Sequence, residues 1–267
     1  LGFYVFSLFD DKKVKTIILS IVLGIILGIS NSFRPIMIIF LIAIFLYYLF
    51  LIFKDKKFFK YISSFTLIVL FYFISMLIIN NSISKILGYE VSNNSGWSVF
   101  VGSNRKYDGM WNIEDSSIFG TELYKEDSTP FKAHSYVKEI GIKRYKENGI
   151  NNIKLFVNKA SNIISYHSSY SYSEFIDFFS NNFPKSVKQT LKIYVYVMFL
   201  LGLVLNAYGS FKLIINNDGR YLPYVLFGMG LFMATLLMEG HIRYFTPLYV
   251  PLILVISLLS YHNEFNK

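Results

Sequence analysis

The stretch PIMIIFLIAIFLYYLFLIF, residues 35–53, decides the fold, because it contains no charged residue and has about the twenty residues that crossing a bilayer requires. A backbone in lipid must satisfy its own hydrogen bonds, so this run has to be a helix. VKTIILSIVLGIILGIS, residues 14–30, and the run over residues 61–79 have the same apolar character. The first part of the chain therefore predicts three membrane-crossing helices.

The composition agrees with a membrane location. Hydrophobic residues make up 54% of the chain, charged residues 16%, and the mean hydropathy is +0.44, whereas soluble domains have about 25% charged residues. The net charge of +9 is assigned to lysines that flank the spans and meet anionic lipid, which argues against a nucleic-acid partner. The chain has no cysteine, so disulfides and thiolate chemistry are excluded.

Three further apolar runs begin at Thr190, Tyr221 and Tyr244. The predicted fold is an α-helical polytopic membrane protein with about six transmembrane helices and one large mixed α/β extracytoplasmic loop. The predicted units are residues 1–79 with three spans, residues 80–189 with the loop, and residues 190–267 with three spans. The opening LGFYVFSLF is too short to cross, and we interpret it as the tail of an earlier span. We therefore expect the chain to be the C-terminal part of a longer protein.

The lysines predict the orientation in the cytoplasmic membrane. DDKKVK, residues 10–15, and KDKKFFK, residues 54–60, are expected on the cytoplasmic side by the positive-inside rule. The large loop then lies outside, together with the residues around Arg34 and the segment that precedes the last span.

Two kinds of structure are predicted within the loop. GWSVFVGSNRKYDGMWNIEDSSIFG, from Gly96, is β-prone and interrupted by turn residues, which indicates strands or turns. A helix is predicted from Ser128 or Thr129, with Pro130 in its first turn, to Gly149. INNIKLFVNKASNIIS follows as an amphipathic helix, which we expect to pack under the loop; the alternative is that it lies along the membrane surface.

Charged residues at the outer ends of spans are the sharpest functional signal. Arg34 precedes Pro35 at the start of a span, and Arg243 precedes the last span. Either arginine alone is compatible with an interfacial anchor that reaches for water. Together, beside a polar loop, the two guanidinium groups indicate a site for a phosphate-linked lipid, because guanidinium binds phosphate oxygens bidentately.

Four segments together resemble the C-terminal portion of GT-C membrane glycosyltransferases. They are SFRP (residues 32–35), VGSNRKYDGMWN (residues 101–112), NNIKLFVNKASNII (residues 151–164) and HIRYFTPLYVPLIL (residues 241–254). The resemblance is to the protein mannosyltransferase and aminoarabinose transferase group of bacterial envelopes, glycosyltransferase family 39-like. It implies an enzyme that moves a sugar, a hexose or a pentose, from a polyprenyl-phosphate donor to an envelope lipid, glycan or protein.

The resemblance also implies site residues. Arg34, Lys159 and Arg243 would hold the donor phosphate and stabilise its developing charge, with Tyr244 lining the same pocket. The candidates for the acceptor or sugar side are Asn104, Asp108, Trp111 and Asn112. The family's general base belongs to an early outer loop, which would lie upstream of Leu1, so this chain alone is expected to be inactive.

No cofactor is assigned, and no ligand cluster in the sequence supports a divalent metal. Two alternative functions are compatible with the same hydropathy pattern. One is an envelope glycan enzyme similar to O-antigen polymerases or ligases, which would use a diphosphate-linked donor. The other is a non-catalytic membrane scaffold with an outer recognition loop, in which Arg34 and Arg243 would tolerate substitution.

Overall fold

The structure is a computed structural model and describes residues 2–9, 13–33, 35–91, 95–164, 184–215 and 222–240. Helices account for the architecture of these residues, and none of them forms a strand. In chain order the helices are α1 (Gly2–Ser7), α2 (Lys13–Phe33), α3 (Met37–Asp55), α4 (Phe58–Leu87), α5 (Ser95–Gly102), α6 (Ile113–Leu123), α7 (Pro130–Asn148), α8 (Asn152–Ile164), α9 (Lys185–Ile215) and α10 (Leu222–Leu237), with short 3₁₀ turns at Arg105–Tyr107 and Gly149–Asn151.

Three of these helices are long and apolar enough to cross a membrane. They cover Val14–Phe33, Met37–Asp55 and Phe58–Leu87 and correspond to the first three predicted spans, the second of which begins at Met37 rather than at residue 35. The chain thus has the helices of an α-helical membrane protein. The fourth predicted span falls on α9, and the fifth falls on α10, whose 16 residues are fewer than the about twenty that a span requires. The sixth lies outside the described residues, so the count of six stays a prediction.

Helices α2 and α4 pack with their backbones in close contact, through two glycines one turn apart. A Cβ atom on Gly24 would lie 2.5 Å from the carbonyl oxygen of Ile68. A Cβ atom on Gly28 would overlap the carbonyl oxygen of Tyr72 and the hydroxyl oxygen of Ser75. Small residues spaced by four allow such an approach between helices, where van der Waals contact replaces the hydrophobic effect. The pair α2–α4 is therefore tightly packed.

Aromatic side chains join α1, α3 and α10. The rings of Phe40 and Phe227 meet edge to face with centroids 5.5 Å apart, and those of Phe6 and Tyr224 do so at 6.2 Å. Phe40 and Phe227 are completely buried. Edge-to-face contact is one of the favoured geometries for aromatic pairs. Together with α2 and α4, these helices form one apolar bundle.

Residues 95–164, which we call the helical module, follow α4. For this part of the loop the sequence predicts strands or turns; the strands are wrong, because the described residues there form α5, a turn-containing loop and α6. The run GWSVFVG forms α5, which packs on α7 and buries Phe100, Val101 and Val137. Close approach is possible because a Cβ atom on Gly141 would already lie 2.8 Å from Phe100 Cα. Tertiary packing of a short apolar run has here overridden its β propensity.

The other elements of the helical module are confirmed. Thr129 caps α7, its hydroxyl oxygen accepting from the backbone N–H of Lys132 at 3.3 Å, and Pro130 occupies the first turn. The helix ends before Gly149, which has a φ of 53°. The predicted amphipathic helix is α8. These outcomes follow the local preferences of caps and of proline at a helix start.

Candidate functional site

A buried carboxylate organises the predicted acceptor-side loop. Asp115 is fully buried, and its Oδ2 accepts from the side-chain amides of Asn104 at 2.9 Å and Asn112 at 2.8 Å. Its Oδ1 forms an ion pair with Arg144 at 2.9 Å. Asn112 also caps α6, because its Oδ1 accepts from the backbone N–H of Asp115 at 2.8 Å. The network ties the loop over residues 104–112 to α6 and α7.

This network occupies the side chains of Asn104 and Asn112. The Oδ1 of Asn104 accepts from the backbone N–H of Lys106 at 3.1 Å, and the amide of Asn112 also donates to the Met110 carbonyl at 3.2 Å. Both residues are buried. Their interaction with a sugar or an acceptor stays a prediction, while the structure gives them a positioning role. Asp115 and Arg144 were not predicted; the spacing N-x-x-D of Asn112 and Asp115 was the available signal for the cap.

Replacing Asp115 by asparagine is expected to lower the free energy of unfolding of the helical module by about 2–3 kcal/mol, because hydrogen bonds to charged groups contribute about this much to stability. The new amide would face Arg144 either with its N–H donor or with an uncharged, weaker acceptor. Urea unfolding in detergent, followed by the fluorescence of Trp97, measures the change. Glu114→Gln is the control, since Glu114 is exposed and its hydrogen bonds go to the side chains of Lys106 and Tyr107 rather than to the buried network. An equal midpoint for both variants would contradict the structural role of the network.

The loop turns at Asp108 and Gly109, both with positive φ, 48° and 67°. The Oδ1 of Asp108 accepts from the side-chain amide of Asn158 on α8 at 2.8 Å. Gly109 lies directly on Lys159, so that a Cβ atom there would overlap the lysine side chain. The carbonyl of Gly109 accepts from the backbone N–H of Gly240 at 2.9 Å. The loop therefore contacts both α8 and the segment that follows α10.

Lys159 is fully buried and caps the C-terminal end of α10. Its Nζ donates to the carbonyl oxygens of Leu236 and Met238, both at 2.7 Å, and to the hydroxyl of Tyr145 at 3.3 Å. The Tyr145 hydroxyl in turn donates to the Leu237 carbonyl at 2.7 Å. The last carbonyls of a helix lack partners within the helix, and cations near them are favourable. Lys159 and Tyr145 supply the missing donors from two other helices.

Burial affects the protonation of this contact. It lowers the pKa of Lys159 to about 7, and the nearby Glu239 carboxylate opposes this effect. Glu239 is also completely buried. Burial raises the pKa of Tyr145, so its hydroxyl remains a donor at neutral pH. The role of Lys159 as a phosphate ligand stays a prediction, because the ammonium is directed at protein oxygens in this structure.

A cleft of about 390 Å³ opens beside this contact, and we call it the basic cleft. Its lining residues are Arg105, Lys106, Asp108, Lys154, Leu155 and Asn158. Lys106 forms an exposed ion pair with Glu114 at 2.7 Å. Within the described part of the chain, no carboxylate pairs with Arg105 or Lys154. The basic cleft therefore has an excess of positive charge over its single carboxylate.

The predicted site residues fall into three groups. Asn104, Asp108, Asn112 and Lys159 lie in the contacts described above. Trp111 is 57% exposed at the edge of the same loop. Arg34, Arg243 and Tyr244 lie outside the described residues, although Gly240, three residues before Arg243, is hydrogen-bonded to the loop. The cations of the basic cleft were not singled out from the sequence, where only the adjacent pair Arg105 and Lys106 was a signal.

Segments that are distant in sequence thus meet at one end of the bundle. The loop over residues 104–109, the first three turns of α8 and the end of α10 form what we call the junction. The junction offers a cationic cleft next to a buried lysine and carboxylate. Comparisons of the chain with protein-family models, with curated proteins and with solved structures find no match.

Proposed function

We propose that the chain belongs to an integral membrane glycosyltransferase that moves a sugar from a polyprenyl-phosphate donor to a cell-envelope acceptor. The observation that carries the proposal is the basic cleft at the junction. It supplies cations next to an apolar bundle, and a lipid-linked phosphate requires both. The resemblance to GT-C enzymes supplies the reaction class. The positive-inside rule supports a position of the cleft on the outer side of the cytoplasmic membrane.

The proposed reaction breaks the bond between the sugar C1 and the phosphate oxygen. The phosphate leaves with the electron pair, and an acceptor oxygen forms the new bond to C1 while its proton passes to a general base. Positive groups near the leaving phosphate stabilise its developing charge. We assign this role to Arg34 and Arg243, together with Arg105 and Lys154 of the basic cleft.

Lys159 has a supporting role in this proposal. Its contacts with Leu236 and Met238 hold the end of α10 beside the cleft, and Arg243 follows that end by a few residues. Through the hydrogen bond between Gly109 and Gly240, the same contact sets the spacing between the loop that carries Arg105 and the segment that leads to Arg243. Positioning of this kind matters because electrostatic stabilisation depends on prearranged charges.

The test is sugar transfer in membranes that contain the protein expressed from its complete reading frame. Radiolabelled polyprenyl-phosphate hexose and pentose are the donors, and label in lipid, glycan and protein fractions is the readout. Arg34→Ala and Arg243→Ala are expected to reduce transfer at least about 100-fold, a loss typical of removing a group that stabilises transition-state charge. Lys143→Ala, an exposed lysine of α7 outside the cleft, is the matched control and should transfer normally.

The double variant Arg105→Ala with Lys154→Ala is expected to raise the KM for the donor about tenfold, which corresponds to about 1.4 kcal/mol of binding free energy. Membrane insertion should be unchanged. Transfer only from a diphosphate-linked glycan would overturn the proposed donor in favour of a polymerase or ligase. If the inserted wild-type protein transferred sugar from none of the donors, the glycosyltransferase proposal would be overturned in favour of the non-catalytic membrane scaffold.

A further inference from the structure

Helix α8 exposes two large apolar residues and buries a lysine. Ile153 and Val157 are one turn apart and are 63% and 61% exposed. On the opposite side of the same helix, Leu155 and Lys159 are 2% and 0% exposed. Ile150, in the 3₁₀ turn that leads into α8, is 81% exposed. In a helix that packs on a water-soluble protein, the apolar stripe faces the core.

The inverted arrangement has a structural cause. Lys159 must face inward to reach the carbonyls at the end of α10, and Asn158 must reach Asp108. Because residues four apart share a helix face, these contacts fix the rotation of α8 and turn Ile153 and Val157 outward. Leaving such side chains in water is unfavourable by about 25 cal/mol for each Å² of apolar surface. The stripe therefore needs an apolar environment outside the described fold.

The position of α8 identifies that environment. Lys159 attaches the helix to the last turn of α10, an apolar helix that packs on the membrane-crossing helix α3. The exposed residues Met233 and Leu237 continue apolar surface along α10 up to this point. Thus α8 lies where the apolar bundle ends. Lys154 is exposed and lines the basic cleft. It also lies beside the stripe, as cations do in helices that bind anionic lipid.

We propose that α8 lies in the bilayer interface, with Ile150, Ile153 and Val157 at the boundary of the acyl chains and Lys154 at the level of the anionic headgroups. The occupant of the exposed stripe is lipid, because the stripe is continuous with the apolar surface of the bundle and is bordered by positive charge. The helix then holds the junction at a fixed depth. This inference does not depend on sugar transfer.

Site-directed fluorescence tests the proposal, since the chain contains no native cysteine. Single cysteines replace Ile153, Val157, Lys154 and, as a control on the exposed face of α7, Lys143. Each carries a polarity-sensitive label, and the intact protein is placed in nanodiscs of phosphatidylethanolamine and phosphatidylglycerol. One quencher is a lipid with a nitroxide near its headgroup, and the other is iodide in water.

Labels at positions 153 and 157 are expected to be quenched by the lipid nitroxide about threefold more than the label at position 143, because an interfacial helix buries its apolar face about 5–10 Å deep. Iodide should quench the label at position 143 more than those at positions 153 and 157. The label at position 154 should respond to iodide. Iodide quenching at positions 153 and 157 equal to that at position 143 would overturn the proposal by placing the stripe in water. Protection from both quenchers would overturn it by showing a protein surface on the stripe.

Discussion

Replacing Lys159 by methionine is expected to lower the stability of the contact between the helical module and α10 by about 2–6 kcal/mol, since two buried carbonyls lose their donor at about 1–3 kcal/mol each. Methionine has a similar volume but no donor, so the carbonyls of Leu236 and Met238 lose their partner while they remain buried. Glu239, also buried, loses the nearby positive charge. An unsatisfied buried acceptor alone costs about 1–3 kcal/mol.

Urea unfolding in detergent micelles measures this loss. The chain has two tryptophans, Trp97 and Trp111, and both lie in the helical module, so their fluorescence reports on that part of the chain. Lys154→Met is the matched control, because Lys154 is exposed on the same helix and lines the basic cleft instead of the end of α10. The cap is refuted if the two variants unfold at the same urea concentration.

Replacing Gly28 by leucine is expected to destabilise the bundle by at least about 3 kcal/mol, the upper limit of the usual range for overpacking. The first side-chain atom would already overlap the backbone oxygen of Tyr72 and the Ser75 hydroxyl. A backbone atom cannot change rotamer, so α2 and α4 must move apart along their length. Gly28→Ala should show an intermediate loss, because it introduces only the overlapping Cβ atom.

The measurement is the temperature at which the detergent-solubilised protein loses its monodisperse peak in size-exclusion chromatography. Gly120→Ala is the control: Gly120 is also helical, but a Cβ atom there would meet nothing within 4 Å. Alanine should stabilise that helix by about 0.5–1 kcal/mol. If Gly28→Leu and Gly120→Ala gave the same temperature, the close backbone contact between α2 and α4 would be ruled out.

The apolar helices and α7 could be predicted because their causes are local. An uncharged run of about twenty residues has no alternative to a helix in lipid, and α7 begins and ends at residues with strong positional preferences, Thr129, Pro130 and Gly149. For α5 the local signal was misleading. The conformation of its few β-prone residues is determined by packing on Gly141 of α7, about forty positions later in the chain. The periodicity of a single sequence gives no information about that contact.

The candidate site was only partly predictable for the same reason. Asn104 and Asp108 were singled out, and they do lie in the loop at the junction. Their partners are Asp115 and Asn158, and Asp115 in turn pairs with Arg144. These three residues come from three different helices, and only the fold brings them together. Hydrophobic periodicity also placed the apolar stripe of α8 on the packed side. Periodicity gives no information about the contact between one buried lysine and the end of another helix, and that contact determines how α8 is rotated.

The cap on α10 has a consequence for the order of assembly. Lys159 precedes its carbonyl acceptors by 77 and 79 residues, so a ribosome completes the helical module before it synthesises α10. The donors that close the end of α10 are thus in place when that helix leaves the translocation machinery. A helix that is shorter than a regular span therefore finds the donors for its last turn in a part of the chain that was made before it.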